Sequence, residues 1–234
     1  MSAPLAPKER LIVALDVATG AEALVLVDLL AGAVGQFKVG SQLFTEAGPA
    51  FVRGLVARGE RVFLDLKYHD IPNTVAGAVA RAAGLGVSLL SVHALGGPAM
   101  LAAARGALPG GEMRLLAITI LTSHSDRSLG EVGVAGPVAA AVGRLAAMAR
   151  AVGIDGVVAS PQEVGLVREA CGSAFLVVTP GIRPLGAESG DQARVATPEA
   201  AISAGADYIV VGRPILEARD PRAAAESIVA RLPR

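Results

Sequence analysis

The chain has no tryptophan, one cysteine, five phenylalanines and two tyrosines, and no excess of either charge, with 21 Lys and Arg against 21 Asp and Glu in 234 residues. Each shortage removes a class of function. The lone Cys171 excludes an intrachain disulfide and a zinc site built from thiolates. Balanced charge and so few rings supply neither the basic field nor the stacking platforms of a nucleic-acid binder. Although 53% of the residues are hydrophobic, no 18-residue stretch lacks charges or turn residues, so no membrane span is expected. Lys8, Glu9 and Arg10 occupy the place where a secretory signal needs its apolar segment, which predicts a cytoplasmic protein. His69, His93 and His124 are scattered over separate segments without ligand spacing, so no metal site is expected. A small, local substrate is what remains.

What the sequence has in quantity is short apolar runs alternating with helical patterns. Strands are predicted at 10–16, 36–40, at the start of 63–74, and at 89–94, 114–121, 155–160, 175–183 and 208–213, each followed by a helical segment. Near-continuous apolar strands separated by helices describe a parallel sheet covered on its outer face. Eight such units in a chain of this length close into a (β/α)8 TIM barrel more readily than they spread into an open sheet. No linker or shift of composition interrupts them, so residues 1–234 read as one α/β domain.

Local signals refine the elements. Thr19 with Glu22, and Ser160 with Pro161 and Glu163, have capping-box spacing. Gly48-Pro49, Gly97-Pro98, Thr197-Pro198 and Asp220-Pro221 mark helix starts, and Thr74 is a candidate cap for the helix after the third strand. Residues 129–136 show no clear period and read as a mobile loop. Segments 122–136 and 186–194 are candidate lids.

The third strand carries the unusual chemistry. Asp65 and Lys67 are two residues apart and so share a face, while Leu64 and Leu66 share the other. An unpaired charge at the end of an apolar run would cost several kcal/mol, so each needs an opposite charge nearby. With Asp16 and Lys38 at the ends of the first two strands, the signs alternate around one side of the barrel mouth, where the site of such a fold lies. Ionised aspartates and protonated lysines would there form a preorganised field containing a proton donor. Across the mouth, the loops after the seventh and eighth strands carry Gly181-Ile182-Arg183, Asp191-Gln192 and Gly212-Arg213, parts suited to an anion such as phosphate.

These residues also carry a resemblance. The run Asp65-Leu66-Lys67-Tyr68-His69-Asp70-Ile71-Pro72-Asn73-Thr74 is similar to the Asp-x-Lys-x-x-Asp-Ile-Pro-x-Thr signature of the orotidine 5'-phosphate decarboxylase family, in its short bacterial form. Leu15-Asp16, Phe37-Lys38-Val39-Gly40, Val92-His93-Ala94, Leu121-Thr122-Ser123, Thr179-Pro180-Gly181-Ile182-Arg183, Asp191-Gln192-Ala193-Arg194 and Val211-Gly212-Arg213 match in order, so the likeness covers essentially the whole chain. It implies a cofactor-free lyase that turns orotidine 5'-phosphate into UMP in pyrimidine biosynthesis. The implied proton donor is Lys67, in a catalytic set with Asp65, Lys38 and Asp70. Asp16 and Lys38 would hold the ribose hydroxyls, Asp65 would lie against the substrate, and Thr122 or the adjacent Ser123 would meet the pyrimidine. Arg183, Gln192, Gly212 and Arg213 would surround the phosphate. Asp70 and Thr74 would reach into a neighbouring subunit's site, which implies a homodimer. The nearest alternative is a magnesium-dependent phosphosugar decarboxylase or aldolase of the related barrels, which share Asp-x-Lys-x-x-Asp. Residues 71–74 and 121–123 favour the pyrimidine enzyme.

Overall fold

The computed structural model describes residues 5–108, 110–183, 194 and 196–233. Its eight strands are β1 (Leu11–Ala14), β2 (Gln36–Gly40), β3 (Val62–Tyr68), β4 (Leu89–His93), β5 (Arg114–Ile118), β6 (Gly156–Val158), β7 (Leu176–Thr179) and β8 (Tyr208–Val211). They pair in parallel in chain order, and β8 returns to β1 through Leu11↔Ile209 and Val13↔Val211, closing the predicted barrel.

Helices α1 (Gly20–Leu30), α2 (Ser41–Ala57), α3 (Pro72–Ala83), α4 (Gly97–Gly106), α5 (Asp126–Glu131), α6 (Val138–Ala151), α7 (Val164–Cys171), α8 (Pro198–Ser203), α9 (Arg213–Leu216) and α10 (Pro221–Arg231) connect and cover the strands. None of the described helices is long and apolar enough to cross a membrane.

The strand period of two sorts side chains into two cores. Leu11, Val13, Leu64, Leu90, Leu115 and Ile209 face outward and pack with the helices. Ile12, Ala14, Phe63, Leu89, Leu116, Val178, Tyr208 and Val210 face inward and fill the barrel. Continuing the inward rows toward the carboxyl ends reaches Lys38, Asp65 and Ser91. The same alternation that fills the lower barrel with hydrocarbon therefore delivers polar groups to its mouth.

Several local expectations need correction. Thr74 does not cap α3: the helix starts at Pro72, its N-cap is Ile71, and Thr74 lies exposed within the first turn. A proline already suited to the first helical position makes that start. The helix expected from Gly48-Pro49 is preceded by a helical segment beginning at Ser41, with a kink where Gly48 adopts φ 68°. Ser160 accepts from the Gln162 N–H and opens a short 3-10 turn, but Glu163 does not close a capping box; it turns away to Arg194.

Residues 129–136 are not a structureless loop. Ser125 caps α5 by accepting the Ser128 N–H, Leu129 is buried, and the Asp126 carboxylate accepts the Val138 N–H at 2.8 Å, tying α5 to α6. The predicted strands also overrun. β1 stops at Ala14, before Asp16, β5 at Ile118, before Leu121, β7 at Thr179, before Arg183, and β8 at Val211, before Arg213. Of the second candidate lid, 186–194, only Arg194 is among the described residues.

Candidate active site

A cavity of ≈ 680 Å³ opens at the carboxyl ends of the strands. Asp16, Lys38, Asp65 and Lys67 form one wall, Thr122 and Ser123 another, and Gly181, Arg183, Gly212 and Arg213 a third. Phe63, Ile118, Val158 and Val210 make its apolar floor.

The charged wall is assembled by an irregularity in β3. Leu64 pairs with Leu90, but the next registered pair is Tyr68↔Val92, so β3 uses more residues than β4 over the same span. Inside this bulge Lys67 takes φ 51°, a left-handed conformation rare for a residue with a side chain. The displaced Lys67 N–H donates to the Ser91 hydroxyl at 2.9 Å, and that hydroxyl donates to Asp65 Oδ1 at 2.8 Å. Ser91 is fully buried on β4 and thus replaces the lost ladder bond while fixing the carboxylate.

Asp65 Oδ2 lies 2.7 Å from Lys67 Nζ and 3.7 Å from Lys38 Nζ, and Lys38 Nζ lies 3.0 Å from Asp16 Oδ1. The expected alternation of sign is therefore a continuous chain of contacts. Burial alone pushes the Asp65 carboxyl upward, but the charges of Lys38 and Lys67, with hydrogen bonds from Lys67 and Ser91, outweigh it and hold the group below its ordinary value. The side chains of Asp65 and Lys38 are 10% and 12% exposed, whereas that of Lys67 is 38% exposed. Lys67 is thus the more open ammonium of the pair that flanks the carboxylate.

Thr122 and Ser123 both line the cavity, so both sequence alternatives stand on the wall. Arg183 follows Gly181, whose φ of 75° suits the residue without a side chain, and Arg213 follows Gly212 directly after β8. Gly212 is close to β1: a Cβ there would lie 3.5 Å from Ala14 Cβ and 3.7 Å from Asp16 Oδ2. Gln192 lies outside the described residues. Asp70 and Thr74 are not among the residues lining this cavity; both are exposed, and Asp70 Oδ1 accepts the Ile71 N–H at 2.6 Å.

Sequence reasoning missed Ser91, whose type and position inside an apolar strand gave no signal. It also missed Gln42 and Glu217, which line the cavity from the first turn of α2 and the end of α9. His93 is partly buried; its Nδ1 accepts the Leu95 N–H at 3.3 Å. Its ring stacks on that of His69, centroids 5.2 Å apart. Burial first, then the nearby charges of His69 and Lys67, push His93 down to about 4. Among the described residues no group of three or more His, Cys, Asp or Glu is placed to hold a metal ion.

Comparison with known proteins gives a consistent result. The profile of the "Orotidine 5'-phosphate decarboxylase / HUMPS family" matches residues 9–228. The orotidine 5'-phosphate decarboxylase of Alkalilimnicola ehrlichii is 57% identical over 217 residues, 92% of each chain. That of Halorhodospira halophila is 55% identical over 234 residues, covering 99% of this chain and 98% of its own. The crystal structure of orotidine 5'-phosphate decarboxylase from Lactobacillus acidophilus superposes with a TM-score of 0.86 at 41% identity, covering 96% of this chain and 99% of that one.

Proposed function

Because the chain belongs to the orotidine 5'-phosphate decarboxylase / HUMPS family, we propose that it converts orotidine 5'-phosphate to UMP and carbon dioxide, without a cofactor and with Lys67 as proton donor. The observation that carries this reading is the Lys67 ammonium held 2.7 Å from Asp65 at the cavity wall.

Breaking the bond between the pyrimidine C6 and its carboxylate leaves an electron pair in the plane of the ring, where the π system cannot spread it. A positive group must therefore face that carbon. The Lys67 ammonium meets the developing charge and then transfers its proton to C6, becoming an amine that regains a proton from water. Asp65 keeps Lys67 in place, and Lys38 offsets part of the carboxylate's charge. Asp16 and Lys38 hold the ribose hydroxyls, and Thr122 or Ser123 meets the pyrimidine. Arg183, Gln192, Gly212 and Arg213 take the phosphate, whose binding energy helps hold the base against Lys67 although it takes no part in bond breaking.

The test is loss of orotidine 5'-phosphate absorbance in buffer containing chelator. The native chain is expected to turn over, and Lys67→Ala to fall by about 10⁴-fold or more, as for removal of a group that is both acid and charge stabiliser. Conversion appearing only with magnesium and a sugar phosphate would instead support the alternative, since the family description spans both activities. The names of the relatives favour the pyrimidine substrate.

We further infer that residues 1–234 act as one catalytic domain in a cytoplasmic homodimer serving pyrimidine biosynthesis. Support for the dimer comes from the exposed run Asp70–Thr74, in which Ile71 is 67% exposed beside the charged wall. A second copy lying on this surface would bring its own Asp70 and Thr74 toward the neighbouring cavity.

A further inference from the structure

Away from the charged wall, the carboxyl end of the barrel holds another ion pair, about as enclosed as Lys38 and Asp65. Glu163, in the 3-10 turn before α7, and Arg194, on the way from β7 to α8, have side chains only 6% and 11% exposed and are joined from Arg194 Nη1 to Glu163 Oε1. Arg194 Nη2 donates to the Leu121 carbonyl at 3.2 Å. One guanidinium therefore ties together the chain segments that leave β5, β6 and β7.

Stability is a poor account of this arrangement. A buried ion pair often contributes no more than apolar side chains of the same volume, because both charges lose their water. Here Glu163 Oε2 and Arg194 Nε are also buried with no hydrogen-bond partner among the described residues, an added cost. What the pair does provide is position. Leu121 immediately precedes Thr122 and Ser123 on the cavity wall. On the other side, Ala196 N–H donates to the Gly181 carbonyl at 3.3 Å and Arg183 N–H to the Ala196 carbonyl at 2.9 Å, so the chain just after Arg194 is seated against the opposite wall.

We propose that Arg194, held by Glu163, is a positioning residue that sets the Leu121–Ser123 edge of the cavity and so governs how tightly the pyrimidine ring is gripped. The guanidinium fork is suited to this: it serves the carboxylate with one nitrogen and the carbonyl with another, which the single ammonium of lysine does not reproduce. Glu163 acts through Arg194 and Arg194 through the backbone of Leu121, so neither is assigned contact with substrate. The inference rests on reading the cavity as a nucleotide site.

The test compares UMP with ribose 5-phosphate, which keeps the sugar phosphate and lacks the ring, as inhibitors or by calorimetry. Arg194→Ala is expected to weaken UMP about tenfold and to leave ribose 5-phosphate within about twofold. Arg194→Lys preserves the counter-charge of Glu163 and guards against a folding defect; circular dichroism should be native, with a smaller loss again confined to UMP. Equal weakening of both ligands, or native UMP binding in both variants, overturns the inference. Failure of the native chain to bind UMP at all would overturn the nucleotide reading itself, and the two failures are thus distinguishable.

Discussion

Ser91 meets two needs at once: a hydrogen-bond acceptor for the displaced Lys67 N–H and a donor for Asp65. Ser91→Ala should therefore cost about 1–3 kcal/mol in urea denaturation, the range for orphaning a buried polar group. It should also lower kcat about tenfold as the carboxylate loses its fixed direction. Native kcat in that variant would show that Asp65 needs no such orientation. His93 gives a separate pH signature. Its folded value lies near 4, below the ordinary 6.5, so between these limits the unfolded chain binds a proton that the folded one does not. Stability then falls as pH drops from about 6.5 toward 4. The Asp65 contribution survives further into acid, because its folded value is lowered beneath 3.8. Urea midpoints should fall between pH 7 and pH 5, and His93→Asn should flatten that segment of the profile. The resemblance pointed to Asp65 and Lys67, and their spacing put them on one face. Ser91 was hidden because one serine in an apolar run reads as an ordinary strand residue. The bulge that makes it necessary depends on pairing with β4, which no local pattern records.

Between elements, close approach rather than side-chain filling joins β6 to β7. A Cβ on Gly156 would stand 2.4 Å from the Leu176 carbonyl oxygen and 2.5 Å from Leu176 Cβ, so adding one requires the strands to part. Gly156→Ala should destabilise the fold by about 1–3 kcal/mol, as overpacking generally does, and lower the thermal midpoint. An unchanged midpoint would mean that the two strands shift freely. The eight strands were readable from their apolar runs, and their order followed from the βα alternation. The ends were less readable, because hydrophobicity continues past the last ladder bond, as at Ile120 and Leu121. Caps failed for a different reason. Ser160 and Glu163 satisfy a local spacing rule, yet the partner that wins Glu163 is 31 residues away. Conversely, Ser125 with Ser128 caps α5 by a reciprocal pair that is easily passed over because serine replaces the usual Glu or Gln at the third position.

At the scale of the whole molecule, the proposed dimer can be tested by complementation. Lys67→Ala and Asp70→Ala homodimers should each be nearly inactive. Mixed and allowed to exchange subunits, they should regain about a quarter of native activity, because half the dimers are mixed and one site in each is intact if Asp70 serves its partner. No recovery, with exchange verified by mass spectrometry, would place Asp70 in the site of its own chain or remove it from catalysis. The closed ring of strands bears on how any such pairing can arise. Since β8 pairs with β1, the described sheet has no edge strand left to recruit another chain by main-chain hydrogen bonding. Self-recognition must then be written in side chains on loops and helices, where it can change by substitution without disturbing the ring. The barrel is also spared the open ladder from which cross-chain aggregation grows.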